Sequence, residues 1–285
     1  MLGILGDEWT LLVIQQALLG ARRFGEFKAR LPISNSVLTA RLRSLTDEGL
    51  FDRREYQPRP ARFEYVVTAR GRSLWPMLLA IWDWERRWVP EHAEGLPRMH
   101  HAVCGRDFAP LVTCRSCRVV VSEKDVGVQW GPSGSWPRSV PAAATRRRSE
   151  ADQQASAGVF PQTMSVLGNR WGFALLVAAF VGMSRFTEFQ TELGAPPGSV
   201  ADRLAILTAN GVFAGDGTRY LLTEKGRALF GVVVTAAQWA QRWYEAPEGP
   251  AVLLTHSGHP FTAALTCDQC HERLRGAGVS AVGNE

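Results

Sequence analysis

The 285-residue chain holds five cysteines, and four of them form two Cys-x-x-Cys pairs, Cys114/Cys117 and Cys267/Cys270. The fifth, Cys104, precedes the first pair in a C-x9-C-x-x-C arrangement, with His100 and His101 just upstream. Thiolates and imidazoles at such spacing are soft donors for a tetrahedral ion, so His101, Cys104, Cys114 and Cys117 read as one structural Zn2+ set. His256, Cys267 and Cys270 read as a second, less complete set, with His259 and His271 close by. The competing chemistries are a free thiol pair and a redox-labile disulfide. In a chain of intracellular character, metal or redox chemistry is expected before a disulfide framework. No nucleophile–base arrangement, spaced carboxylate pair or phosphate-cradling glycine loop accompanies these residues, so the chain does not read as an enzyme.

The two cysteine units are copies of one another. "HHAVCGRDFAPLVTCRSC" (100–117) matches "LLTHSGHPFTAALTCDQC" (253–270) at an offset of 153, with Ser257 standing where the first unit has Cys104. The repetition reaches far upstream. "LGDEWTLLVIQQALLGARRFGEF" (5–27) and "LGNRWGFALLVAAFVGMSRFTEF" (167–189) share Gly6/Gly168, Trp9/Trp171, Arg23/Arg185, Phe24/Phe186 and Glu26/Glu188 at an offset of 162. A period this long means two whole domains, and a solenoid is excluded.

The elements within each copy follow from periodicity. Leu38, Leu42 and Leu45 fall on one helical stripe, as do Val200, Leu204 and Leu207, and Gly49 and Gly211 follow as helix terminators. "LFDRREYQPRPARFEYVVT" has strand-like ends around a Pro-rich tip, which predicts a β-hairpin, whereas "VFAGDGTRYLLT" is the same hairpin seven residues shorter. Each copy then enters a long helix that ends in paired tryptophans, Trp84/Trp88 and Trp239/Trp243. These are expected to pack between helices in preference to lining an aromatic ligand pocket. The fold class expected is mainly α with small β-hairpins (α+β): two winged helix-turn-helix domains, each followed by a small Cys-containing β-rich module. The boundaries expected are 1–90 and 161–247 for the winged domains, 91–122 and 248–285 for the Cys/His modules and tail, and 123–160 for a partly disordered linker.

The words of the first copy, "LGDEWTLLVI…RRFGEF…SNSVLTARLRSLTDEGLFDRREYQPRPARFEYVVTARGRSL", closely resemble the HxlR-type winged-helix transcriptional regulators. The likeness covers residues 2–89 with high specificity and 164–244 more weakly. It implies a prokaryotic DNA-binding regulator, usually dimeric through terminal helices. The departures are the tandem arrangement and the clipped second wing.

With the leucine stripe turned inward, Asn35, Ser36, Thr39, Ala40 and Arg43 face outward on the third helix, with Ser34 at its start, where hydroxyl, amide and guanidinium groups suit base edges and phosphates. Ser34 or Ser36 also suits a helix cap. Arg53, Arg54, Arg59 and Arg62 on the wing suit phosphate contacts or a narrow minor groove, and equally a charged strand edge. The second copy has Ala205 for Arg43, places Asp202 nearby and keeps only Arg219 on its wing. Charge follows the same division. Residues 1–89 carry 14 Lys/Arg against 10 Asp/Glu, and residues 163–245 carry 7 against 6. Arg23/Arg185 and Glu26/Glu188, shared by both copies, are expected to be structural.

The expected function is sequence-specific reading of duplex DNA through the third helix and wing of the first copy, with the alternative of an effector- or protein-binding co-regulator of weak DNA affinity. The partners expected are double-stranded DNA, a small-molecule effector and no membrane. The two repeats are expected to pair as an internal pseudo-dimer, with a further homodimer open. Lacking an apolar segment of about 18 residues, the chain is expected to be cytoplasmic.

Overall fold

A computed structural model describes residues 2–135 and 161–283. The first repeat runs α1 (Leu2–Leu5), α2 (Glu8–Leu18), α3 (Phe24–Arg30), α4 (Asn35–Asp47), β1 (Phe51–Pro58), β2 (Ala61–Val67), α5 (Ala69–Arg72), α6 (Trp75–Trp88) and α7 (Pro90–Ala93). The second runs α8 (Pro161–Leu167), α9 (Arg170–Phe180), α10 (Phe186–Leu193), α11 (Pro197–Ala209), β7 (Phe213–Gly215), β8 (Tyr220–Leu222), α12 (Glu224–Arg227) and α13 (Phe230–Trp243). Each is a winged helix-turn-helix.

Equivalent residues start and stop equivalent helices. Asp7 accepts a hydrogen bond from the Thr10 amide at 2.8 Å, and Asn169 accepts one from the Trp171 amide at 2.9 Å, satisfying donors that a helix start leaves open. Glu26 accepts from the Arg22 and Arg23 amides, and Glu188 from the Ser184 and Arg185 amides, which is the structural role expected of both. Gly49 and Gly211 turn the chain out of α4 and α11 at φ of 69° and 70°, a region where a Cβ is costly. Leu38, Leu42 and Leu45 are buried, as are Val200, Leu204 and Leu207, each side chain contributing about 1.5–3 kcal/mol of apolar transfer. Phe27 stacks on Phe51 in one repeat as Phe189 meets Phe213 in the other.

The repeats pack on each other through α6 and α13, and one apolar core runs through both. The tryptophans make the junction reciprocal. Trp84 Nε1 donates to the Lys225 carbonyl at 2.9 Å, and Trp239 Nε1 donates to the Arg70 carbonyl at 3.1 Å. Trp84 and Trp239 are equivalent positions, and so are Arg70 and Lys225, so the two bonds are related by a pseudo-twofold axis. Trp243 Nε1 adds a bond to Ser73 Oγ at 2.9 Å. The packing role expected of these rings is the observed one.

Beyond the helices lie β3 (Arg98–His101), β4 (Arg106–Asp107), β5 (Pro110–Cys114) and β6 (Gly127–Trp130), then β9 (Val252–His256), β10 (His259–Pro260), β11 (Ala263–Cys267) and β12 (Val279–Val282). The sequence places one small β-rich module after each winged domain. The structure interlocks them. The sheet β4–β3–β12 draws its third strand from the second unit, and β10–β9–β6 draws its third from the first. Strands β5 and β11 pair antiparallel, with Val112 opposite Leu265, its own counterpart. A sequence repeat reports which residues are equivalent and not which partner each strand chooses. Of the segment 123–160 expected as a linker, residues 127–130 form strand β6 of a sheet, and residues 136–160 lie outside the described residues.

Candidate nucleic-acid interface and metal clusters

Helix α4 presents the polar face expected of it. Burial of the leucine stripe leaves Ser34, Asn35, Ser36, Thr39 and Arg43 on its outer side. Ser34 Oγ caps the helix by accepting from the Val37 amide at 3.3 Å, so its capping role is real and it still lies at the helix start beside Asn35. The Arg43 side chain is 83% exposed and reaches only a loose ion pair with Asp47 at 3.8 Å. Such a pair is worth little in water and is readily exchanged for another anion.

The wing β1–β2 is long, and Arg53, Arg54, Arg59 and Arg62 are all exposed on it. Arg53 lies over the Phe63 ring at 3.5 Å and Arg54 pairs with Asp52 at 3.2 Å, so both guanidinium groups are held at the strand face. Arg59 and Arg62 flank the tip. The second wing, with three residues per strand, closes on a loop in which Asp216 accepts from the Thr218 hydroxyl at 2.7 Å and the Arg219 amide at 2.9 Å. On α11, Asp202 and Ala205 occupy the exposed face, and Pro196 supplies no side-chain cap.

The cysteines assemble differently from the sets expected. His101 and Cys104 meet Cys267 and Cys270, whereas Cys114 and Cys117 meet His259; within each group the donor atoms all lie within 4.8 Å of one another. Each Cys-x-x-Cys therefore faces ligands from the other half of the chain. The reason is the strand exchange: β5 and β11 lie side by side, so each pair at a strand end sits against the opposite β-turn. His256 is not in either group; its Nδ1 lies 2.9 Å from the Asp125 carbonyl. The signal that could have exposed this is the uneven ligand count, since the second unit lacks a Cys104 equivalent yet keeps both cysteines of its pair.

These groups could hold metal ions. All five cysteines are free thiols. Burial pushes the Cys267 thiol up to about 11, against hydrogen bonds from the Gln269 and Cys270 amides. Burial also works to raise Cys114, yet the Cys117 amide, the His259 ring and the Ser116 amide bring it down to about 6.

A two-repeat winged helix-turn-helix with an arginine-bearing wing is the architecture of a DNA-binding regulator. The HxlR-like helix-turn-helix family model matches residues 4–93 and 166–248, together more than half of the chain, and the protein belongs to that family. The Mycobacterium tuberculosis HTH-type transcriptional regulator Rv3095 is 36% identical over 132 residues, which is 46% of this chain and 83% of that protein. YvaP of Bacillus subtilis, another HTH-type transcriptional regulator, is 39% identical over 87 residues, 30% of this chain and 81% of its own length. A solved Pseudomonas aeruginosa chain, PA1374, is 32% identical, covers 45% of this chain and 86% of its own, and superposes with a TM-score of 0.37. Among the described residues no helix is long and apolar enough to cross a membrane.

Proposed function

We propose that the protein is a sequence-specific transcriptional regulator that reads duplex DNA through α4 and the β1–β2 wing, with the second repeat as scaffold. The observation that carries this is the contrast between the repeats. One presents Asn35, Ser36, Thr39 and Arg43 beside a four-arginine wing, and the other presents Asp202 and Ala205 beside a wing of three-residue strands. In this reading Arg43 and Asn35 reach base edges, the wing arginines hold phosphates, and the two repeats act as an internal pseudo-dimer in the cytoplasm. The Cys/His groups hold structural Zn2+.

The test is binding to the DNA flanking the protein's own gene across a salt series. Arg43→Ala should cost about 1–3 kcal/mol and relax specificity at one base position. Replacing Arg59 and Arg62 with alanine should weaken binding to all sequences and lower the salt slope by roughly one for each phosphate no longer neutralised. Loss of binding on changing Arg203 and Arg219, with the first-repeat set inert, would reverse the assignment of repeats.

A second reading is favoured by one cleft. About 870 Å3 in volume, it is lined by Val177, Phe180, Met183, Phe230, Val233 and Tyr244, among others, with Arg219 and Arg227 at hand. Its size and apolar walls suit a small-molecule effector, and an effector- or protein-binding co-regulator would bind duplex weakly at any salt.

A further inference from the structure

We propose that the two halves of the chain are cross-linked by metal, through two unequal sites: a closed Zn2+ site of His101, Cys104, Cys267 and Cys270, and an open three-ligand site of Cys114, Cys117 and His259. The proposal deepens the zinc reading above and stands independently of DNA binding.

The geometry of the first group is that of a coordination shell. A tetrahedral Zn2+ with Zn–S near 2.3 Å and Zn–N near 2.0–2.1 Å places two sulfurs about 3.8 Å apart and a sulfur about 3.6 Å from a nitrogen. The observed separations are 3.9 Å for Cys104 Sγ to Cys267 Sγ, and 3.5 Å from His101 Nδ1 to both Cys104 Sγ and Cys270 Sγ. A disulfide would need sulfurs about 2.05 Å apart. Three thiols and an imidazole gathered this closely, with His101 only 1% exposed and Cys267 at 0%, are poorly explained by packing alone. The donor set is soft, which selects Zn2+ over Mg2+, Ca2+ or Mn2+.

The backbone supports the same conclusion at both pairs. The residue after each Cys-x-x-Cys holds a left-handed conformation, Arg118 at φ 64° and His271 at φ 58°, although neither is glycine. Their amides donate back to the Cys114 and Cys267 carbonyls at 2.8 and 2.9 Å. Such strain persists where the surroundings over-determine it, commonly at a ligand-binding turn. Here it curls each pair into a knuckle with both sulfurs on one side.

The second group differs by one ligand. His259 Nε2 lies 3.2 Å from Cys114 Sγ, and Cys117, unlike its counterpart Cys270, is exposed. Ser257 occupies the position of Cys104, and a neutral hydroxyl is a poor substitute for a thiolate. Two thiolates and one imidazole leave a fourth position to water or an outside ligand. The ion held there should be weaker and exchangeable.

The experiment uses the full chain purified without chelator, with elemental analysis and Zn2+ titration against a chromophoric competitor. Wild-type protein should hold one Zn2+ through a wash with a weak chelator and take up a second only with added Zn2+. Cys270→Ser should lose the resistant ion, and Cys114→Ser should lose the second while keeping the first. Loss of the resistant ion in Cys114→Ser, with retention in Cys270→Ser, would mean that each unit closes on itself and would overturn the cross-link. Co2+ substitution of the wild type reads the same point without relying on a variant's folding. The first equivalent should give a thiolate charge-transfer band about half as strong again as the second, three sulfurs against two. Equal bands, uptake of a single ion at any excess, or five reactive thiols with no metal would sink the proposal.

Discussion

Single residues hold the two repeats together, and the pseudo-twofold relation makes their contributions comparable. Trp84→Phe and Trp239→Phe each delete one hydrogen bond across the junction and leave a gap where the rest of the buried indole stood, so each should cost about 1–3 kcal/mol in denaturant unfolding. Trp243→Phe removes a bond to Ser73 that has no mirror image, because Ala228 stands at the equivalent position. A buried carboxylate adds a second kind of tie. Glu85, 0% exposed, accepts from the Thr163 amide at 2.8 Å and from the Thr163 hydroxyl, and lies 2.7 Å from His92 Nδ1. Thr163→Val should cost about 1–3 kcal/mol by taking a donor from a buried charge. Asp216 is informative in acid. Hydrogen bonds from the Thr218 hydroxyl and the Arg219 and Thr218 amides hold its carboxyl down to about 2. Its contribution to the short wing is therefore present above the ordinary aspartate pKa and fades as pH falls toward 2, which a carbon-detected titration of that carboxyl would follow. The packing role of the tryptophans was legible from their spacing at the ends of apolar helices. The Glu85–Thr163 contact was not, since no pattern in either segment names a partner so distant in sequence.

Elements divide in the same way. The helices and the first wing were readable because their stripes, caps and terminators are local, and the seven residues missing from the second hairpin foretold β7 and β8 as short strands. Strand partnership is non-local, and no local pattern announces that the two β-rich modules share sheets. Strand β12 pairs Val279 with His101 and Val282 with Arg98, so it completes a sheet begun in the first half. Deleting residues 279–285 should raise amide exchange at Arg98–His101, which lose their partner strand, and should loosen the ring of His101. Unchanged protection at β3 in that truncation would contradict the interlocked arrangement. The residue types that could hold a metal were visible in the sequence, but their grouping depended on this exchange and so was not.

At the scale of the molecule, one chain carries two unlike winged helix-turn-helix halves packed on each other. The α6–α13 junction and its reciprocal tryptophan bonds persist, although the outer faces of α4 and α11 have diverged. If the first repeat alone reads DNA as proposed, one chain should protect one side of a site, giving a one-sided hydroxyl-radical footprint. Symmetric protection about a dyad by a single chain would show that the second repeat reads too.

The exchange of strands also bears on how the protein comes into being. A ribosome delivers β3, His101 and Cys104 early, yet the strand that pairs with β3 and the two cysteines opposite them arrive only with residues 267–282. Until then the nascent first half carries an open sheet edge and unmatched thiols, vulnerable to a neighbouring nascent chain in the same condition. Two such chains on one message could trade strands, producing a tangled dimer by the same contacts that each chain makes within itself. The length of time between the two halves of translation is thus part of what decides the product.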